Sequence, residues 1–251
     1  YDPDKEGIPI MLAMKLSPNA YFERVNRLLN DNPAYSEDGE LLSELAELGI
    51  GAGCSFKSSL SPVDLEKFWQ EMKDHLLPKL IEETSCFMVR NGNFKFYGEP
   101  ISRFGTQYGY RCLVAIAGFG ANPVDVAVYL KAEEDDKGEK LDAKNRYLLH
   151  FNADGLPPVE KHGFWSITAY GDDDFLISNP IERYAISNRN DFRLNDDNSL
   201  DLILQTEEPN ENRENWLPVG ERGFHLYLRI YRPGNSVLNG TWKAPKITKI
   251  D

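Results

Sequence analysis

YLLHF (147–151), then GFWSITAY (163–170), GDDDF (171–175) and LISNPIERYAI (176–186) decide the fold. Between the first two lies Pro157-Pro158, a turn signal. The segments alternate apolar and polar residues, which is the period of a strand with one face on a core. By that alternation Trp165 shares a face with Ile167 and Ala169 and points inward. Working outward, strands are expected at 124–132, 146–151, 164–170, 175–177, 184–186, 200–206, 224–231 and 246–250. The separators, such as NDDNS (195–199) and RPGN (232–235), are rich in turn formers. No helices are legible between these strands, so the pattern indicates an antiparallel, jelly-roll-like β-sandwich and not a parallel α/β sheet.

Upstream the period changes to helical. Residues 1 to about 16 read as an incoming connector. Ser17 then caps a helix that Pro18 opens, because proline at the first helical position gives up an N–H that has no partner there. Phe22, Val25, Leu28 and Leu29 form its stripe, and Asn30 to Pro33 stop it. A second helix covers Glu40 to Leu48, with Gly49 as the residue that turns the chain out of it. Ser61 and Pro62 repeat the opening device for a third, striped by Leu65, Phe68, Trp69, Met72 and Leu76, which Pro78 should kink or end. CFMVR (86–90) and NFKFY (93–97), joined through Asn91-Gly92, read as a hairpin. The apolar run Cys112–Ala117 favours a buried helix, with a buried strand as the alternative. The expected fold is therefore mainly β with a helical subdomain: residues 1–90 helical with the connector, and residues 91–251 the sandwich.

Composition narrows function by exclusion. The 251 residues carry a formal charge of −12, with 41% hydrophobic and 27% charged residues. Phosphate-backbone binding needs clustered Lys and Arg, so no nucleic-acid partner is expected. No apolar run reaches spanning length, so no transmembrane segment is expected. Cys54, Cys86 and Cys112 are odd in number and unpaired in spacing, which argues against a disulfide framework and a structural zinc site. The start at Tyr1, not Met, suggests the C-terminal part of something longer.

The combination of RFGTQYGYRCLVAIAGFGANP (103–123), NRYLLHF (145–151), FWSITAY (164–170), NPIERYAI (179–186), NWLP (215–218), FHLYLRIYRP (224–233) and LNGTWKAPKI (238–247) resembles bacterial proteins carrying the domains of unknown function 1254 and 1214. LNDNPAY (29–35) and LLSELAELGIG (41–51) resemble the middle region of that family. The resemblance implies a jelly-roll-like sandwich after a small helical domain. It also implies an additional N-terminal β domain of the same precursor, absent here, and an exported or cell-envelope location. It supplies no catalytic residues.

Chemistry has to come from the residues. His75, His150, His162 and His225 show neither HxH nor HExxH spacing, so no metal is expected. GDDD (171–174) and EEDD (133–136) read first as acidic turns, with calcium as the alternative. There is no GxSxG elbow and no phosphate loop, so no cofactor is expected. What stands out is a set of aromatics and arginines: Trp165, Tyr170, Arg183, Tyr184, Trp216, Arg229 and Tyr231. Arg183 is placed to tie loops together, and Trp216 in NWLP to anchor one. The ligand-binding candidates are His150, Trp165, Tyr170, Asp172, Arg183 and Trp216. Three functional readings follow. The first is an envelope-associated module binding a carbohydrate-like or other small ligand. The second is a hydrolase or isomerase using His150, Asp172 or Arg183 in a polar cleft at the helical/β junction. The third is an assembly unit forming homo-oligomers.

Overall fold

Alternation along the strands builds the sandwich. In the computed structural model, which describes residues 9–250, ten strands form two mostly antiparallel sheets. They are β1 (Met88–Asn91), β2 (Phe94–Tyr97), β3 (Ala127–Ala132), β4 (Arg146–Phe151) and β5 (Val159–Gly171). The rest are β6 (Ala185–Ser187), β7 (Leu200–Gln205), β8 (Trp216–Pro218), β9 (Phe224–Pro233) and β10 (Ile247–Ile250). The six-stranded sheet runs β1-β2-β3-β9-β5-β6 and the four-stranded one β10-β4-β7-β8. Leu130, Trp165, Ile167, Leu226, Leu228 and Ile230 from the first meet Tyr147, Leu149, Leu202 and Leu204 from the second in one buried core. This is the β-sandwich with a helical part that the alternation predicts.

Three differences have local causes. The expected strand 175–177 shrinks to a single bridge between Tyr170 and Leu176, because GDDDF folds back on itself: Gly171 N–H donates to Phe175 O. NWLP, expected as a loop anchor, supplies the short β8, which pairs parallel to β7. β5 begins at Val159, five residues earlier than expected, through a bulge opposite β9 between Val159 and Phe164. His162 takes φ 67° there, and the backbone at Gly163 is so close that a Cβ would sit 2.6 Å from Tyr231 O. A bulge of this kind interrupts the alternation by which a strand is recognised.

The chain divides into two units: residues up to Ser85 with Phe104–Gly120, and Cys86–Arg103 with Ala121 onward. The first unit is helical: α1 (Pro9–Met14), α2 (Pro18–Asp31), α3 (Gly39–Glu47), α4 (Pro62–Glu71), α5 (Leu77–Glu83) and α6 (Tyr108–Ala117). Of the connector expected over residues 1 to 16, residues 1–8 lie outside the described residues, and α1 occupies 9–14. Ser17 Oγ accepts from Ala20 N–H and Ser61 Oγ from Asp64 N–H, so both opening devices work as read. The run Cys112–Ala117 is helical. The stripes are corrected in detail: Leu28, Leu48, Phe68 and Leu76 are each about half exposed, while Trp69 is buried against Tyr21 and Phe22. Pro78 does not end its helix. A wide π-type turn at Met72–Leu76 precedes it, with Leu77 N–H bonded to Met72 O, and this absorbs the N–H that proline lacks. A short helix, α7 (Asn235–Leu238), follows β9 in the second unit.

Candidate functional site

The side of the six-stranded sheet that turns away from the core carries the densest polar and aromatic set. In β9, Phe224, Leu226, Leu228 and Ile230 enter the core, so His225, Tyr227, Arg229 and Tyr231 occupy the opposite face. The same rule puts Phe164, Ser166, Thr168 and Tyr170 of β5, and Tyr129 and Lys131 of β3, on that face. Register then sets them side by side: Tyr170 opposite His225, Thr168 opposite Tyr227, Ser166 opposite Arg229, and on the other flank Lys131 opposite Tyr227 and Tyr129 opposite Arg229.

The contacts make this a patch and not a scatter. Tyr170 and His225 stack at 5.8 Å between ring centres, and Tyr227 meets both edge-on. The Arg229 guanidinium lies 5.3 Å from the Tyr170 ring centre and 5.0 Å from that of Tyr227, and its Nη2 donates to the Tyr170 hydroxyl at 2.9 Å. Lys131 lies 5.9 Å from the Tyr227 ring and pairs with Glu133 at 3.0 Å. Glu133 also meets Lys95 at 2.6 Å. These two lysines, Lys95 foremost, hold the Glu133 carboxyl down to about 2. At 40% side-chain exposure that pairing is screened by water and adds little to stability.

His225 is the buried member of the patch. Its Nε2 lies 3.1 Å from Asp174 Oδ1, but misaligned, so the atom makes no hydrogen bond. Burial first, and then the Lys131 charge, push its pKa below the ordinary histidine value; Asp174, Glu133 and Asp172 pull weakly the other way. The folded protein therefore binds this proton less readily than the unfolded chain. Stability from the neutral ring is fully present above the unfolded value, about 6.5, and is lost as pH falls from there toward the lower folded value. His225→Gln should flatten the stability curve below about pH 6.5, read by urea unfolding at several pH values. An unchanged slope would show that His225 does not carry it.

The residues singled out from sequence go to different places. Tyr170 belongs to the patch. Trp165 is 1% exposed and sandwiched between Phe151 and Phe192, so both of its ring faces are taken. Trp216 is buried with Nε1 donating to Gln205 O at 2.8 Å, and Arg183 Nη1 donates to the carbonyls of Arg213 and Trp216. These two form a clamp between the loop before β6 and β8. His150 is exposed on the four-stranded sheet, with Nδ1 2.6 Å from Asp201 Oδ1 on the neighbouring strand. Asp172 lines a pocket of about 420 Å³ with Phe175, Ile177, Glu221 and Arg222, its carboxylate oxygens 2.6 Å from where a Cβ on Gly223 would stand. Among the described residues no contact joins His150, Asp172 and Arg183 to one another. The three aspartates of GDDD likewise diverge: Asp172 faces the pocket, Asp173 accepts from Phe175 N–H, and Asp174 approaches His225 and Lys131.

Sequence reading missed His225, Tyr227 and Lys131 as site members. The available signal was FHLYLRIYRP itself: its non-core positions spell His, Tyr, Arg, Tyr, an unusual outer face for a strand.

Residues 126–235 match the family model described as "Protein of unknown function (DUF1214)", and every β9 member of the patch falls inside that range. No curated protein matches the chain. Among solved structures it is similar to the VPA0106 protein from Vibrio parahaemolyticus: TM-score 0.66 and 23% identity over 92% of this chain and 55% of the other. The chain thus spans about half the length of that relative, and the likeness is one of fold. A putative uncharacterized protein from Burkholderia cenocepacia aligns at TM-score 0.37 and 12% identity, over 77% of this chain and 45% of its own, a score that carries no argument.

Proposed function

We propose that this chain, whose residues 126–235 match the DUF1214 family model, is a binding module for a carbohydrate-like or other small polar ligand. The site is the outer face of the six-stranded sheet around Tyr170, His225, Tyr227 and Arg229. One observation carries the reading: register gathers stacked rings, a guanidinium and a buried imidazole nitrogen without a hydrogen bond into one patch that contributes nothing to the sandwich core. Strands that need only solubility place charged and small polar residues on their outer face. Rings with fixed donors among them suit a ligand that has both an apolar face and polar groups, as sugars do. An exported or cell-envelope location is part of the same proposal and rests on the family resemblance; fractionation of the native host checks it.

The test is ligand-dependent thermal stabilisation of the intact chain across a panel of sugars and small metabolites. At least one should raise the melting temperature, and Tyr227→Ala should abolish that rise while leaving the unliganded circular dichroism spectrum intact. A flat response across the whole panel would sink the reading.

A further inference from the structure

We propose that the ligand taken by this face carries a carboxylate, received by Arg229; this rests on the binding reading above and narrows it. The charges of the patch are unevenly compensated. Lys131 and Lys95 share Glu133, and Asp174 stands 3.9 Å from Lys131. Arg229 has no such partner: among the described residues no carboxylate lies within ion-pair distance of it. A guanidinium stays charged at any pH a protein survives, and this one is half-buried, so bulk water does not fully compensate it.

Its placement suits a carboxylate. The two tyrosine rings hold it by cation–π attraction, which fixes the plane of the fork before any ligand arrives. Only Nη2 is engaged, with the Tyr170 hydroxyl, so most of its five N–H donors remain for a ligand. A planar fork with free donors matches the two oxygens of a carboxylate in a paired hydrogen-bonded arrangement. Its cross-strand neighbour Ser166 adds a hydroxyl on the same face. Tyr227, on the same strand two residues away, offers a ring to the body of such a ligand. An acidic sugar, a uronate, combines these features; a bare inorganic anion would use Arg229 and leave the rings idle.

The probes are glucuronate and galacturonate against glucose and galactose, with inorganic phosphate as a third arm, titrated calorimetrically into the intact chain. The uronates should bind at least about tenfold more tightly than their neutral counterparts, the size of one charge-assisted pair. Arg229→Gln should erase that preference, bringing uronate and neutral-sugar affinities together whatever happens to their common level, while Arg229→Lys should restore part of it. Arg189→Gln removes an exposed guanidinium in the turn after β6, 4.1 Å from the Phe164 ring, and should leave the preference untouched. Equal binding of acidic and neutral sugars overturns the carboxylate assignment and spares the binding module, as does a preference that survives Arg229→Gln. Phosphate binding as tight as uronate overturns it too, in favour of a plain anion site. Binding of none of the sugars or phosphate overturns this assignment outright; the module itself then stands or falls by the wider panel.

Discussion

Trp165→Ala should destabilise the sandwich by about 3–5 kcal/mol, the cost of removing a large buried aromatic and leaving a cavity behind. The indole is 1% exposed. It stacks on Phe151 of β4 at 5.7 Å and lies parallel to Phe192 at 5.8 Å, so it bridges the two sheets and one loop at once. Phe151 cannot close the gap freely, because it is itself held in the β4–β7 ladder. Loss of dispersion contacts on both faces therefore adds to the lost transfer energy. Denaturant unfolding followed by near-UV circular dichroism gives the number. The comparison is Phe164→Ala, one residue away on the outer face, where the stack with Tyr231 and the Arg189 contact are lost and the expected effect is clearly smaller. Equal losses would mean that the alternation of β5 does not separate core from surface. The same experiment separates two roles for Trp165: a residue whose ring faces are both occupied should affect stability far more than ligand binding.

The inward placement of Trp165 shows which parts of the sequence are legible. Alternation in YLLHF, GFWSITAY and FHLYLRIYRP fixes which residues enter the core, because a strand has only two faces and only one can be buried. The β1–β2 hairpin is legible too, but its turn falls one residue later than Asn91-Gly92: Asn91 pairs with Phe94, and Gly92, at φ 62°, turns the chain with Asn93. What alternation cannot convey is register between strands distant in sequence. Lys131 and Tyr170 come alongside His225 and Tyr227 only when β9 lies between β5 and β3, and nothing local announces that order. The candidate site was therefore half visible: Tyr170 and Arg229 stood out as residue types, while their partners did not. Trp216 and Arg183 stood out equally, yet both hold backbone carbonyls together. Residue type alone does not tell a clamp from a ligand contact; the identity of the bonded partner does.

Gly49→Ala should cost the helical unit about 3 kcal/mol or more, because it combines the penalty of a left-handed backbone with an overpacking clash. Sequence alone places Gly49 just past the end of α3, and the observed bonds are those of the Schellman ending: Ile50 N–H to Leu45 O and Gly49 N–H to Ala46 O. Gly49 takes φ 71°, which costs an L-residue with a Cβ about 1–2 kcal/mol. Its surroundings add a greater penalty. A Cβ at this position would stand 2.0 Å from the carbonyl oxygen of Ser55 and 3.1 Å from Lys57 N. Those atoms are backbone and are tied in place, since Lys57 N–H donates to Leu48 O and the loop is pinned by Asn26. The Asn26 Nδ2 reaches the carbonyls of Gly49 and Cys54, and its Oδ1 accepts from Gly51 N–H, all from a side chain that is 3% exposed. Relieving the clash would pull on the Asn26 contacts, so the loss should spread from one turn to the junction of α2 with the GIGAGC loop. Hydrogen exchange would show it as faster exchange at Ile50, Gly51 and Lys57, with β4 and β7 protected as before. Gly53→Ala provides the contrast: φ there is also positive at 69°, but no atom lies within 4 Å of the added Cβ. It should cost only the backbone penalty of about 1–2 kcal/mol. If both substitutions cost the same, close approach to Ser55 is not what demands glycine at position 49.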